Sequence, residues 1–355
     1  MLVRADFNVP IEKEKVLDPF RIIKTLPTIK YLLAKGAKVI LISHAGEGTQ
    51  TLLPVAGILK KHIPVTFVPA VSGASVEQAL ISQKDGTAIL LENLRSEAGE
   101  KKNDAKFAQL LASYGDMFVN DAFPVSHRAH ASIVGVPKYL PSYAGLQLEQ
   151  EIKHLSLAHN PKHPFLFILG GNKFSTKMPL IKKFAKTADH MFIGGALLND
   201  LLRAKGYEIG TSAFEDGYDV SAILKNKKLI LPIDLVVARG NKSRICAPYE
   251  VARDESIMDI GPETIKYVVS IAKISKCILW NGPIGFYEKG FGAGSKTLLK
   301  GLVASKGDTI IGGGDTVELV NKLGMEKDFS FVSTGGGATL DYLANGTLPG
   351  IKALK

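Results

Sequence analysis

The sequence predicts an α/β protein of two domains, each a doubly wound parallel sheet, and three observations lead there. Short apolar, β-branched runs alternate with longer stretches of helical period along the whole chain. The alternation falls into two successive series. The 355 residues exceed what one hydrophobic core usually organises, so two domains of similar mass are expected.

The first series is KVILIS (38–43), VTFVP (65–69), TAILLEN (87–93) and MFVND (117–121), after an opening strand that already contains Met1. Runs this apolar suit strands buried on both faces, and the long intervals supply the crossovers that parallel pairing needs. The segment YLPSYAGLQLEQEIKHLSLA then places Pro141 and Gly145 before a long helix starting near Leu146, which marks the domain boundary. A second series follows in FLFILGG (165–171), HMFIGGA (190–196), KLILP (228–232), KCILWNGP (276–283), DTIIGGGD (308–315) and FSFVSTGGGA (329–338). The expected domains are 1–145 and 146–339.

Composition narrows the function classes. A net charge of +10 favours anionic partners. The lysines are scattered in pairs without interleaved aromatics or a nucleic-acid signature, so phosphorylated small molecules are preferred over nucleic acid. No apolar run approaches the roughly 20 residues of a membrane span, and no signal-peptide layout is present, so no membrane association is expected. Cys246 and Cys277 are isolated, which fits buried thiols in a reducing cytoplasm.

Glycines cluster at the strand ends of the second series: Gly170 and Gly171, Gly194 and Gly195, Gly282 and Gly285, Gly312 to Gly314, and Gly335 to Gly337. In an open parallel sheet, ligands bind beyond the carboxyl ends of strands, where glycines let helix N-termini present bare N–H groups to phosphate. One edge of this domain therefore reads as a nucleotide cradle, without a Walker A loop or a GxGxxG fingerprint. Asp315, after Gly312 to Gly314, reads either as a helix N-cap or as a ligand-facing carboxylate.

The first half carries different chemistry at equivalent places. Asp6 and Asn8 lie in RADFNVP, Arg21 in FRIIKTLPTI, Ser43 and His44 in LISHAG, Arg95 in ENLRSE, and His127, Arg128 and His130 in SHRAH. Most follow strand ends and should converge as a basic pocket for a small anion, with arginines offering bidentate forks. A basic pocket on one domain and a phosphate cradle on another suit phosphoryl transfer, which depends on alignment and charge neutralisation.

The ordered motifs RADFNVP, RIIKTLPTIKYLLAKGAKVILISH, LLENLR, NDAF with HRAH, ILGGNKFSTK, WNGPIGFYE, IIGGGDT and VSTGGGATL resemble the phosphoglycerate kinase family over practically the whole chain. The resemblance implies two Rossmann-like domains joined by a helical hinge, with the tail 340–355 returning to the first. It implies reversible phosphoryl transfer between 1,3-bisphosphoglycerate and ADP, giving 3-phosphoglycerate and ATP, by a cytoplasmic monomer using Mg²⁺. By the same resemblance Asp6, Asn8, Arg21, His44, Arg95, His127 and Arg128 hold the phosphoglycerate, and Arg21, Lys173 and Lys177 stabilise the phosphoryl group in flight. Gly194 and Gly195 border the adenine, Asn281 lies near the phosphates, and Glu288 meets the ribose. Gly313, Gly314 and Thr316 serve the nucleotide as donors, while Asp315 serves the magnesium.

Departures from the family's pattern stand out. SHAGEG occupies the place of SHLGRP, so Glu47 stands where an arginine would meet the substrate's phosphate, in a shortened loop. Thr176 replaces a common aspartate, Asn172 a small residue, and Pro124 a glycine, and the first motif lacks the usual lead-in. A carboxylate at position 47 is expected to repel phosphate, which leaves open a non-catalytic nucleotide-binding descendant or a kinase of shifted acid specificity.

Overall fold

The computed structural model describes residues 1–354. The chain divides into two compact units, Met1–Lys153 with Asn345–Lys355, and His154–Ala344.

The first unit is built on a six-stranded parallel sheet in the order Val65–Val68, Ala88–Leu91, Val39–Ile42, Leu2–Arg4, Phe118–Asn120, Ser142–Ala144. Strand alternation explains its two cores. Val3, Val39, Leu41, Leu90 and Val119 pack with Ile22, Leu26 and Ile29 of the helix Phe20–Ala34. Their neighbours Leu2, Ile40, Ile42, Ile89, Leu91 and Phe118 pack on the other face with Phe107 and Leu111. Each such side chain taken fully out of water contributes about 1.5–3 kcal/mol, so both helical layers are held by the same strands. The opening strand lies near the middle of the sheet, with Arg4 level with both Ile42 and Asn120.

The second unit repeats the plan with strands in the order Leu229–Ile230, His190–Ile193, Phe165–Leu169, Cys277–Asn281, Asp308–Gly312, Phe331–Val332, all parallel. It also contains a three-stranded antiparallel sheet not expected from the sequence, with Leu235–Arg239 between Lys242–Cys246 and Ser256–Ile260. A signal was present: Gly240 and Asn241 form a two-residue loop, Gly240 sits at φ +54°, and that pairing suits a tight hairpin. No described helix is long and apolar enough to cross a membrane.

The helix Leu146–Ser156 carries the chain from one unit to the next, and its N-terminus is fixed by a buried carboxylate. Asp121 is fully buried, and its Oδ1 accepts from the backbone N–H groups of Gln147 (2.9 Å) and Leu148 (3.2 Å). Leu146 N–H donates to Thr28 Oγ1 at 3.0 Å. Any Cβ at Gly145 would lie 2.2 Å from Asp121 Oδ1, so the turn into this helix requires glycine. Burial raises the Asp121 pKa to about 7 against the opposing hydrogen bonds of Thr28, Leu148 and Gln147.

Because the folded pKa lies above the unfolded one, Asp121 takes up a proton on folding. Its stabilising contribution is complete below about pH 4 and is lost as pH rises through about 7. Asp121→Asn should therefore gain stability relative to wild type as pH rises from about 4 to 7. Urea midpoints measured across that range check this, and parallel curves for the two proteins would refute it.

Candidate active site

Because all six strands of the first unit run the same way, the loops carrying Asp6, His44, Arg95 and Arg128 emerge at one sheet edge. Arg21, near the start of Phe20–Ala34, reaches it too: its Nη1 lies 3.2 Å from Asp6 Oδ2 and donates to Asn8 O at 3.3 Å. Asn8 Oδ1 in turn accepts from Gly46 N–H at 3.0 Å, tying the loop after His44 to this cluster. Arg95 Nη1 donates to Gly46 O (2.7 Å) and to Glu47 Oε1 (3.1 Å). His127 and Arg128 follow the turn Phe123–Val125, with Arg128 exposed.

A buried polar chain supports this edge from inside. Arg4, only 1% exposed, donates from Nε to Ser132 Oγ (2.9 Å), from Nη1 to Ala5 O (2.6 Å) and from Nη2 to His44 Nδ1 (3.0 Å). The buried Glu100 accepts from Ser132 Oγ (2.6 Å) and Ser132 N–H (3.0 Å), completing the chain. A guanidinium can only donate, so His44 Nδ1 accepts and the proton sits on Nε2. Burial, then the charges of Arg4, Arg95 and Arg21, hold the His44 pKa well below its ordinary value, so the ring is neutral. Its Nε2–H is buried and has no protein partner, a donor directed by its other nitrogen.

Ser43, expected in the pocket, is fully buried. Its hydroxyl donates to Ala5 O (2.8 Å) and accepts from Phe7 N–H (2.9 Å), so it fastens the loop after the first strand and offers nothing outward. Glu47 also departs from expectation. Its carboxylate does not stand alone as a repulsive charge, because Lys101 Nζ and Arg95 Nη1 both engage it. Nothing in the sequence pattern marked Lys101, which meets Glu47 only through the fold.

In the second unit the strand-end glycines turn out to pack on one another. A Cβ at Gly170 would lie 2.0 Å from Pro283 O, one at Gly282 would lie 2.4 Å from Gly170 O, and one at Gly195 would lie 2.7 Å from Gly171 O. Gly194 N–H donates to Leu169 O (2.8 Å) and Gly195 N–H to Ile284 O (3.0 Å). These glycines are therefore needed first for backbone-to-backbone contact, and the shelf they make borders a cavity of about 380 Å³. Leu198, Ile257, Met258, Ile284 and Phe286 give the cavity apolar walls, and Glu288 and Asp315 add carboxylates. Ser256–Ile260, the unexpected third strand, supplies part of that lining.

Lys177, in the helix Phe174–Thr187, donates from Nζ to Asn281 Oδ1 at 2.6 Å, across from one strand end to the next. Burial lowers its pKa to about 8, with Asp315 pulling the other way. Asn281 Nδ2 and Thr316 Oγ1 are buried and unpartnered, leaving donors at this edge. Lys173 is exposed at the N-cap of the same helix, and its carbonyl accepts from Thr176 Oγ1 at 3.1 Å.

Asp315 is not the cap of its helix. Gly313, at φ +92°, occupies that position, and Asp315 lies in the first turn of Gly314–Lys322 with no capping bond from Gly313's side. Burial, then the charges of Glu288 and Glu318, raise the Asp315 pKa, and Lys177 opposes them. Gly314 has open space where a Cβ would stand. Among the described residues no group of three or more His, Cys, Asp or Glu side chains is placed to hold a metal ion. The Asp315 carboxylate, with Glu288 on the same cavity, nonetheless supplies oxygen chemistry that suits a hard cation.

The family model described as phosphoglycerate kinase matches residues 1–346. The phosphoglycerate kinase of Orientia tsutsugamushi (strain Boryong) is 44% identical over 381 residues, covering 100% of this chain and 94% of that protein. That of Coprothermobacter proteolyticus is 42% identical, with coverages of 100% and 95%. Among solved structures, phosphoglycerate kinase from Coxiella burnetii superposes with a TM-score of 0.86 at 35% identity, covering 99% of this chain and 95% of that one. The enzyme from Pyrococcus horikoshii OT3 gives the same TM-score at 27% identity and the same coverages. With the motifs in order along both units and these likenesses over its full length, the chain belongs to the phosphoglycerate kinase family.

Proposed function

We propose that the chain transfers a phosphoryl group reversibly between 1,3-bisphosphoglycerate and ADP, giving 3-phosphoglycerate and ATP. The observation that carries the reading is a pair of sheet edges with complementary chemistry. One gathers Arg21, Arg95, Arg128 and a neutral His44 donor, and the other sets Lys177 on Asn281 and within the field of Asp315, which lines the cavity.

In this reading Asp6, Asn8, Arg21 and His44 hold the glycerate end of the acid, while Arg95, His127 and Arg128 face its phosphate. Ser43 positions the loop. The base enters the apolar cavity beside Gly194 and Gly195, Glu288 meets the ribose, and Lys173, Lys177, Asn281, Gly313, Gly314 and Thr316 face the phosphates. Mg²⁺ bound at Asp315 would neutralise and orient the nucleotide phosphates. In the direction of ATP consumption, a carboxylate oxygen of 3-phosphoglycerate attacks the γ-phosphorus. The new carboxyl O–P bond forms as the bond to the β-phosphate oxygen breaks, and ADP keeps that electron pair. No proton need move, so the residues' work is alignment and neutralisation, with Arg21 and Lys177 bearing on the charge of the moving group. Donor and acceptor must meet in line with water excluded, so turnover requires the two units to close on their substrates. We take the enzyme to be a monomer in the cytoplasm, a compartment that suits the two buried free thiols.

Initial rates of ADP formation from Mg-ATP and 3-phosphoglycerate, with the acyl phosphate drained by a coupled reduction, test the reading. Arg21→Ala should lower kcat by about 10²-fold or more while leaving the fold intact by circular dichroism. Saturable turnover absent from folded wild-type protein would overturn the assignment.

A pH dependence follows from Lys177. Its charge is lost as pH rises through about 8, so affinity for ADP in the free enzyme should fall between pH 7 and 9. Lys177→Arg keeps its charge over that range and should flatten the profile, and calorimetric titration of both proteins with ADP decides it.

A further inference from the structure

We propose that Glu47 is a tethered anion standing in the phosphate subsite of the acid pocket, and that Lys101 belongs to that subsite, binding the substrate's phosphate with Arg95 when Glu47 is displaced. The inference rests on the function proposed above and concerns how this particular chain meets the phosphate.

The geometry is that of an anion site with a built-in occupant. Glu47 Oε1 lies 3.1 Å from Arg95 Nη1, and its Oε2 is held by Lys101 Nζ. Arg128 adds a weaker attraction to the same carboxylate. Three cations, Arg95, Lys101 and Arg128, thus act on Glu47, while Asp6 and Glu100 act on Arg95 more weakly than Glu47 does, which leaves attraction for a ligand carrying more charge than a carboxylate does. A phosphate monoester does so and offers three terminal oxygens.

Arg95 is fixed, Lys101 is half exposed, and the occupant is loose. The Arg95 side chain is 6% exposed and is anchored on Gly46 O, whereas the Glu47 side chain is 78% exposed. Glu47 can swing into water with little loss, since exposed ion pairs are weak. The loop bearing it is seated by main chain: Gly46 and Gly48 both have positive φ, and a Cβ at Gly48 would lie 2.4 Å from Arg95 O. Gly46 N–H on Asn8 Oδ1 ties the same loop to Asp6 and Arg21, so a small acid held by that pair has its phosphate directed at Arg95 and Lys101. The carboxylate at position 47 then acts as a competitor to be expelled, and Lys101 supplies the cation that position lacks.

The test compares wild type, Glu47→Gln and Lys101→Met in steady-state kinetics and in calorimetric titrations with 3-phosphoglycerate, glycerate and inorganic phosphate. Removing the tethered anion should lower KM for 3-phosphoglycerate about threefold, with kcat and KM for Mg-ATP unchanged. Lys101→Met should raise that KM by about fivefold or more, and neither change should alter glycerate affinity, because glycerate has no phosphate. An unchanged or raised KM in Glu47→Gln, or an unaffected Lys101→Met, would overturn the proposal. If wild type shows no turnover at all, the kinase reading fails separately. The inorganic phosphate titration then decides the subsite: tighter binding by Glu47→Gln supports it, and equal binding sinks it.

Discussion

Everything at either edge depends on one constraint, the parallel register of the strands. A parallel sheet sends every chain crossing back to the same side, so the loops that begin at the carboxyl ends cannot avoid one another. In the first unit that brings residues from positions 6, 44, 95 and 128 to a common edge although they are far apart in sequence. In the second it brings strand ends so close that only glycines fit between them, and the cavity lies against that shelf.

The fold was readable because buried parallel strands are written as unmixed apolar runs, and the principal runs named from sequence lie in the two large sheets. The antiparallel sheet was not, because its middle strand LVVAR is a short apolar run and its neighbour KSRIC, exposed at four of five positions and polar on both faces, reads as loop. The glycines were legible as a place and only partly as a cause. Sequence suggested close approach of backbone to ligand, whereas Gly170, Gly195 and Gly282 approach backbone first. Lys101 and Arg4 were invisible as site residues for a different reason. Their relevance lies in partners such as Glu47 and His44, and no local pattern encodes contacts across 54 or 40 positions.

Arg4 and Glu100 illustrate a cost that the site imposes on the core. Both are buried charges, joined through Ser132 rather than directly. Removing either partner of such a buried system typically costs about 3–5 kcal/mol, because the other charge is left stranded. An apolar strand interior would avoid that liability. What the arrangement yields is a histidine with one tautomer, held neutral beside several arginines and presenting a single N–H.

The shelf in the second unit is main chain meeting main chain, and this bears on how the protein can change over evolutionary time. Side chains lining the cavity can be exchanged without moving the shelf itself, since main chain rather than side chains sets its outline. The glycines themselves are the opposite: a Cβ at Gly170 or Gly282 would collide with a carbonyl oxygen that has no rotamer to yield. Neutral drift should therefore be free along the apolar lining of the cavity and almost frozen at its rim, so lineages can retune what the pocket prefers while inheriting its outline unchanged.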